Sequence, residues 1–490
     1  MPAVLSIGLS AQVVLFPEQK DYNVWLRTEN PVSIGIVTMP DIGRTGFDAK
    51  STYGDFHKAM ESSGINSCGF NSSGYKSLKP LNLWGSFRFS QEHHRGRCWS
   101  DNINPYNGNP YLTGSSVKGK YSYQVFDFSV KMSSKRLFGF MWAGIGLDYS
   151  LGDFSRLQDP RSRTQEIRYS ITPGVAFRLG KETIGMNVRY GYSKEKIGSY
   201  VSKSKDAKEY LLYLQEGFGV YSTHISSDYE RRIESWYYGV ALQYGHSFCG
   251  NSALLAEVSP YYRSDLVTDA NMATPGNYKE AGAELSMEVN IGNWIANSAL
   301  RITSGVVSTR YETIFSIKSY ILQSLKGEVG LSYMAMGDEI TDFGKWNVGC
   351  KLNFGGREEE YIYYSPSSSF GCVNVFPSVH GGGTLFDRNG HRLALNGELA
   401  YRINVADSFS ISDELKNNVA LDNVVTPDHE IMTSDHMRTS ADLLYVFPLS
   451  IRQIRKRLSG FVTLSANMSL ASGFHGSGRN VFGISVGVFH

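Results

Sequence analysis

Between Gly460 and Leu470 the side chains alternate between two kinds. Gly460, Val462, Leu464, Ala466, Met468 and Leu470 fall on one side, and Phe461, Thr463, Ser465, Asn467 and Ser469 on the other. After a polar turn, Phe482, Ile484, Val486 and Val488 alternate with Gly483, Ser485 and Gly487, up to Phe489-His490. A period of two is the mark of a strand. The constraint lies in the second face, which is small and polar but largely uncharged. A strand of a soluble sandwich turns its outer face to water and carries many charges there. Aliphatic side chains opposite Gly, Ser, Asn and Thr suit a transmembrane barrel, apolar side to lipid and polar side to a lumen, with the last strand closing on the first.

Composition agrees. Aromatics make up 13% of the chain, with 30 Tyr and 26 Phe, and 50 of the 490 residues are Gly. Rings suit the two lipid–water boundaries, and glycines let strands coil and keep a lumen open. A secreted all-β enzyme or propeller shares the Tyr and Gly content, but no repeat at a fixed period is found. No apolar run reaches the roughly 18 to 20 residues of a membrane helix, and the mean hydropathy is -0.25. A net charge of +2 without a Lys/Arg cluster argues against a nucleic-acid partner. Five cysteines (Cys68, Cys98, Cys249, Cys350 and Cys372) are widely spaced and form no CxxC, so neither a zinc site nor a disulfide framework is implied. No cofactor is expected.

Residues 1–17 carry no charged side chain, and 1–12 read as an export signal without its basic n-region. Residues 13–44, with turn signals at Asn30-Pro31 and Pro40-Asp41-Ile42-Gly43, are expected to form a short periplasmic or plug segment. Residues 45–490 are the barrel. Strands are predicted at Gly46–Phe56, Asn66–Leu78, Leu83–Phe89, Tyr121–Met132, Leu137–Leu151, Ile167–Leu179, Thr183–Lys194, Ser235–Phe248 and Ala253–Ser264. They continue at Glu280–Ile291, Ala296–Thr309, Ser319–Met334, Phe343–Phe354, Gly371–His380, Arg392–Asn404, Thr439–Pro448 and the final pair. The count is about 18, or about 16 if the first two pair outside the barrel; either is even, as a barrel with both termini in the periplasm requires. Links alternate between short (133–136, 180–182, 249–252) and long (90–118, 195–234, 265–278, 405–437), the asymmetry of periplasmic turns and extracellular loops. The link 152–166 fits neither class.

Few residues point to chemistry. Arg156, Asp159, Arg161 and Arg163 crowd one link; they would form an ionic constriction or internal network, dock a partner, or stay in an exposed loop. Arg189 interrupts a clean aliphatic strand and is expected to face the lumen. Trp99, Tyr106 and Tyr111 lie in a loop rich in turn formers, where they could offer a ligand a stacking platform. His429 and His436, seven residues apart, are weak metal candidates beside the plainer reading of loop polarity. No GxSxG elbow accompanies the serines and histidines, so no enzyme is expected.

The runs Trp99-Ser100-Asp101-Asn102-Ile103-Asn104-Pro105, Arg156-Leu157-Gln158-Asp159-Pro160-Arg161 and Gly74-Tyr75-Lys76-Ser77-Leu78 before Leu83-Trp84-Gly85-Ser86-Phe87 resemble a family of outer-membrane β-barrel proteins of the Bacteroidota. The long barrel and Asn30-Pro31 are loosely similar to FadL-type transporters. The resemblance implies the outer membrane of a Gram-negative bacterium and company with TonB-dependent receptors or surface lipoproteins, and no catalytic residues. Insertion by the barrel-assembly machinery would follow. Two functions stay open: a conduit for a small solute, and a scaffold barrel plugged by its own loops. Inward folding of loops 90–118 and 405–437 would discriminate between them.

Overall fold

The computed structural model describes residues 23–37, 39–201, 210–225, 229–248, 252–270, 274–291, 294–308, 313–330, 346–449, 458–472 and 478–490. The expected signal segment 1–12 lies outside them, as does Cys249. The other four cysteines are free.

The described residues form one large antiparallel sheet. Its strands are β1 (Ile42–Tyr53), β2 (Gly64–Ser77), β3 (Leu81–Arg97), β5 (Gly119–Ser134), β6 (Met141–Arg156), β7 (Arg161–Leu179), β8 (Glu182–Val201), β11 (Arg231–Ser247) and β12 (Ala253–Asp269). It goes on through β13 (Gly276–Ile291), β14 (Trp294–Ser308), β15 (Thr313–Gly330), β16 (Trp346–Tyr361), β17 (Ser368–Arg388), β18 (His391–Ser410), β19 (His436–Leu449), β20 (Leu458–Ala471) and β21 (Gly478–Phe489). These eighteen strands pair with their neighbours in chain order. β21 pairs with β20 and also with β1, from Arg44↔Phe489 to Tyr53↔Asn480. β1 and β2 thus belong to the same sheet as the rest.

Register sorts the side chains into two surfaces. On β8 the exposed row is Ile184, Met186, Val188 and Tyr190, and on β11 it is Tyr238, Val240, Leu242 and Tyr244. Pairing sets Met186 opposite Leu242, Tyr190 opposite Tyr238, Leu242 opposite Val258 and Val258 opposite Leu285. The exposed apolar rows therefore fuse from strand to strand into a continuous apolar surface, the kind that marks an interaction or membrane face. Aromatic rings gather towards its two ends. Tyr169, Tyr192 and Trp236 run as neighbours at one end, with ring centroids 5.6 and 5.8 Å apart. Phe140 and Phe177 stack at the other, 6.4 Å apart. The other surface carries Asp127, Asp148, Glu166, Arg168, Arg189 and many serines.

The strands outrun the alternation that announces them. Leu83–Phe89 becomes Leu81–Arg97, and Gly371–His380 becomes Ser368–Arg388. The added ends, such as Gln91-Glu92-His93-His94-Arg95, are polar on both faces and have no hydrophobic period. One consequence concerns 152–166, which fits neither class of link: it is two strand ends joined at 157–160. Those extensions and the long links 54–63, 98–118, 210–225 and 411–435 build a cap at one end of the sheet. Within it β4 (Thr113–Gly114), β9 (Leu212–Gly217) and β10 (Val220–His224) make a second sheet of three strands.

Candidate functional site

The segment preceding β1 is folded inside the sheet. Asn23 caps a 3-10 turn, Val24–Arg27, by accepting from the Trp25 N–H, and a single helical turn follows at Ser33–Ile36. Val24, Trp25, Leu26, Ile34, Val37 and Met39 share a core with Tyr75, Trp84, Leu255 and Phe461 from the strands. Asn30 is fully buried. Its Nδ2 reaches the carbonyls of Val175 (3.3 Å) and Met186 (3.2 Å) and the Gln243 Oε1 (3.0 Å), while its Oδ1 accepts from the Val32 N–H. Tyr75 and the Asn82 amide both donate to the Ile34 carbonyl. Ion pairs to strands three apart in the sheet hold the segment. Arg27 meets Glu288 of β13 at 2.9 Å, and Glu29 meets Arg189 of β8 at 3.1 Å.

Glycines make the seat. A Cβ on Gly174 would run into the Asn30 Oδ1, and one on Gly245 would stand 2.9 Å from the Trp25 ring. On Gly185 it would meet the Gln243 Oε1 at 2.7 Å. Inward glycines were expected to keep a lumen open; here they admit a plug.

The cap is anchored by the Trp99–Pro105 run. Trp99 lies in the left-handed region at φ 65, a cost that persists only where neighbours fix it. Its N–H donates to Ser115 O, its carbonyl accepts from the Gln215 amide, and its ring lies 4.8 Å from that of Tyr213. Asp101 is completely enclosed. It accepts from the Tyr121 hydroxyl at 2.7 Å and the Tyr200 hydroxyl at 2.9 Å, and Arg156 donates to that same Tyr121 oxygen at 3.2 Å. Asn102 and the Ile103 N–H both donate to Glu195. Further along, Asn109 donates to Asp265, and Arg263 binds Asp265 and the Asn107 carbonyl. Loop 411–435 joins in through Arg402, which donates to the Ile431 and Ser434 carbonyls, and Asn404, whose N–H donates to Asp435.

Between plug and cap lies a cavity of about 520 Å³. Its boundary includes five arginines (Arg44, Arg88, Arg168, Arg189, Arg263) against three carboxylates (Asp127, Asp148, Glu166), with Asn104 and Asn107 from the cap. The charges are tied into the wall. Arg88 pairs with Asp127 at 2.9 Å, Asp127 accepts from Ser150, and Asp148 accepts from Ser129 and Ser170. Arg189 lies 5.3 Å over the Tyr237 ring, which stacks on Tyr261. Charged and hydroxyl side chains are numerous at the chamber's boundary, and the space can hold water or a small solute.

The arginine cluster separates. Arg156 is buried in the cap network, but Arg163 points away from the interior, exposed between buried Ser162 and Thr164, and pairs with Asp153 on the neighbouring strand. Arg161 is half-exposed and pairs with Asp159 in the link. A constriction built from all four is therefore corrected to one buried anchor and two pairs at the rim. Strand parity decides this, and it could not be read while the segment was taken for a loop. Trp99 and Tyr111 are likewise corrected: both are buried, and Tyr111 packs under Arg231 as cap core rather than as an exposed platform. The Tyr106 hydroxyl accepts from the Met60 N–H. His429 packs between Phe370 and Phe409, and His436 lies against Phe56. Among the described residues no three His, Cys, Asp or Glu side chains gather as metal ligands would.

Asp428, on the cap helix Thr426–Thr433, accepts from the Ala59 N–H at 2.7 Å and so ties loop 54–63 to loop 411–435. Burial pushes its carboxyl up to about 6, against the pull of Lys58 and the Ala59 N–H. A carboxyl held above its unfolded value of about 4 adds stability below that value and loses it as pH rises through the folded one. Docking of loop 54–63 should therefore tighten as pH falls from about 7 to about 5. Hydrogen exchange of residues 54–63 across that range checks it: protection should rise, and Asp428→Asn should flatten the change.

The sequence profile of a family of unknown function, DUF6850, matches residues 31–490. The chain belongs to that family. The family's span begins at Pro31, inside the plug segment, and takes in every strand. No curated protein matches by sequence. Among solved structures, the chain is similar to the outer membrane transporter YddB from Escherichia coli, at 8% identity and a TM-score of 0.40 over 93% of this chain and 81% of that one. It is also similar to the siderophore receptor PirA from Acinetobacter baumannii, at 8% identity and a TM-score of 0.39 over 92% and 81%. At these scores the likeness carries no argument, and the reading of the fold rests on the chain's own strand pairing.

Proposed function

We propose that this DUF6850 protein is a transmembrane β-barrel of a Gram-negative outer membrane, inserted by the barrel-assembly machinery, and that it is a gated conduit for a small polar solute. Residues 23–37 are the gate. The carrying observation is the chamber between plug and cap, bounded by arginines and carboxylates. A barrel of eighteen strands is too wide for its own side chains to fill, and about 520 Å³ is within the range of small-ligand pockets. The plug is held by the polar bonds of Asn30, Arg27 and Glu29 and by an apolar core in which Val24, Trp25, Leu26 and Ile34 are buried. The short-turn end is then periplasmic and the cap extracellular, in line with the Bacteroidota resemblance. No catalytic activity is assigned.

The interlocked cap favours a second reading, a permanently closed scaffold bound to a TonB-dependent receptor or surface lipoprotein. Planar-bilayer conductance separates the two. The full chain should be silent, and a Glu29→Ala, Asn30→Ala double variant should give stepwise, salt-proportional currents. Silence from that variant, folded and heat-modifiable, would leave the scaffold.

The membrane assignment has its own test. Leu242→Arg, at the middle of the apolar surface, should cost about 2–4 kcal/mol in refolding from urea into lipid bilayers. Ser193→Arg, on the inward face, should leave the midpoint nearly unchanged. Equal effects would contradict a lipid-facing surface.

A further inference from the structure

Arg189 does two things at once: it bounds the chamber and it holds the plug. Its side chain is 13% exposed, and its guanidinium lies 5.3 Å over the Tyr237 ring and meets Glu29 at 3.1 Å. Tyr237 is itself fixed by stacking on Tyr261. The cation is thus desolvated and oriented by the wall, whereas its carboxylate partner arrives on a segment that the gated-conduit reading requires to leave. Arg189 itself lines the chamber, so solute there can reach the pair from its side. Glu29 is a carboxylate, which states what the seat accepts. A planar guanidinium offers a fork of donors that suits a carboxylate in particular.

We infer that the chamber binds a small carboxylate-bearing solute at Arg189, and that this solute and Glu29 exclude one another, so that ligand binding unlatches the plug. The inference rests on the gated-conduit reading and names its ligand class and trigger. Arg27–Glu288, three strands along the wall from Arg189, would remain as a hinge, which lets the segment swing without being lost. A ligand can shift the latch only by as much as it prefers the unlatched state. Here that preference is complete at one site, because the two carboxylates compete for one cation. Glu29 is also tethered beside Arg189, and a tethered competitor acts at millimolar effective concentration.

Hydrogen exchange of residues 23–37 in the purified full chain tests this without relying on conductance. The probes are acetate, succinate and citrate, each against sodium chloride at equal ionic strength. At least one carboxylate should speed exchange across 23–37 while leaving strand β8 protected, and chloride should not. Glu29→Gln should exchange faster without any probe, show no further response, and bind the active carboxylate about tenfold more tightly by calorimetry. Arg189→Gln should exchange faster and bind none. If all three carboxylates leave 23–37 unchanged in folded protein, or if Glu29→Gln binds no more tightly than the parent, the inference is overturned. Conductance of the plug variants is unaffected by that outcome, so the conduit reading stands or falls separately.

Discussion

Asp101→Ala should cost the cap about 3–5 kcal/mol, the loss that follows when one partner is removed from a buried charge network. Asp101 and Arg156 are both fully enclosed, with side-chain exposures of 0%. The Tyr121 hydroxyl stands between them, donating to Asp101 and accepting from Arg156. Tyr200 donates to the other carboxylate oxygen. Removing the carboxylate leaves a guanidinium without its counter-charge and two phenols without their acceptor, in a space that water does not reach. The sheet should survive, because its ladder does not pass through Asp101. Hydrogen exchange should therefore rise steeply over residues 98–115 and stay low in β5 to β8. Asp101→Asn keeps an acceptor and should fall between variant and parent. Unchanged protection over 98–115 in Asp101→Ala would mean that the cap is held elsewhere.

Gly174→Val should open the barrel. Valine suits a strand, and the outward neighbours of Gly174 are untouched, so the sheet itself should form normally. Inside, however, the new Cβ enters the place of the Asn30 Oδ1 and presses on Pro31. Asn30 cannot retreat and keep its bonds to Val175, Met186 and Gln243. The cheapest adjustment is for the segment to leave the seat, which is why a single small side chain is expected to produce steady conductance where the parent shows none. With Glu29 displaced, Arg189 joins the chamber's other arginines, and the current should favour anions. Arg189→Ala added to Gly174→Val should reduce that preference while the channel stays open. A silent Gly174→Val protein with intact heat modifiability would place the barrier in the cap.

The sequence made the sheet legible because outward apolar and inward polar residues alternate, and each predicted stretch overlaps a strand. What was not legible has one cause in several forms. The polar strand ends around His93 and Glu195 lack a period, so lengths came out short and Arg163 was put in a loop. The places of Asn30 and Glu29 depend on residues 145 to 213 positions away, and no local pattern encodes such distances. Gly174, Gly185 and Gly245 were visible as inward small residues, but a glycine that leaves room and a glycine that receives a partner read alike. The Trp99–Pro105 run stood out for its turn formers. Its role as the cap's anchor became clear only when Asp101 met Tyr121, Tyr200 and Arg156.

The pairing of β1 with β21 bears on how the molecule is made. Arg44 and Phe489 are partners across almost the whole chain, the costliest kind of contact to form early. Residues 23–37 adjoin β1, yet their polar bonds reach β7, β8, β11 and β13. If the seam zips last, that segment is already indoors when it does. The seam would then lock in a cargo the chain supplied itself, and a chain that closed first would have to thread its own stopper through a finished wall. The order of these two events, more than the strength of any single bond, decides whether a newly made barrel is born shut.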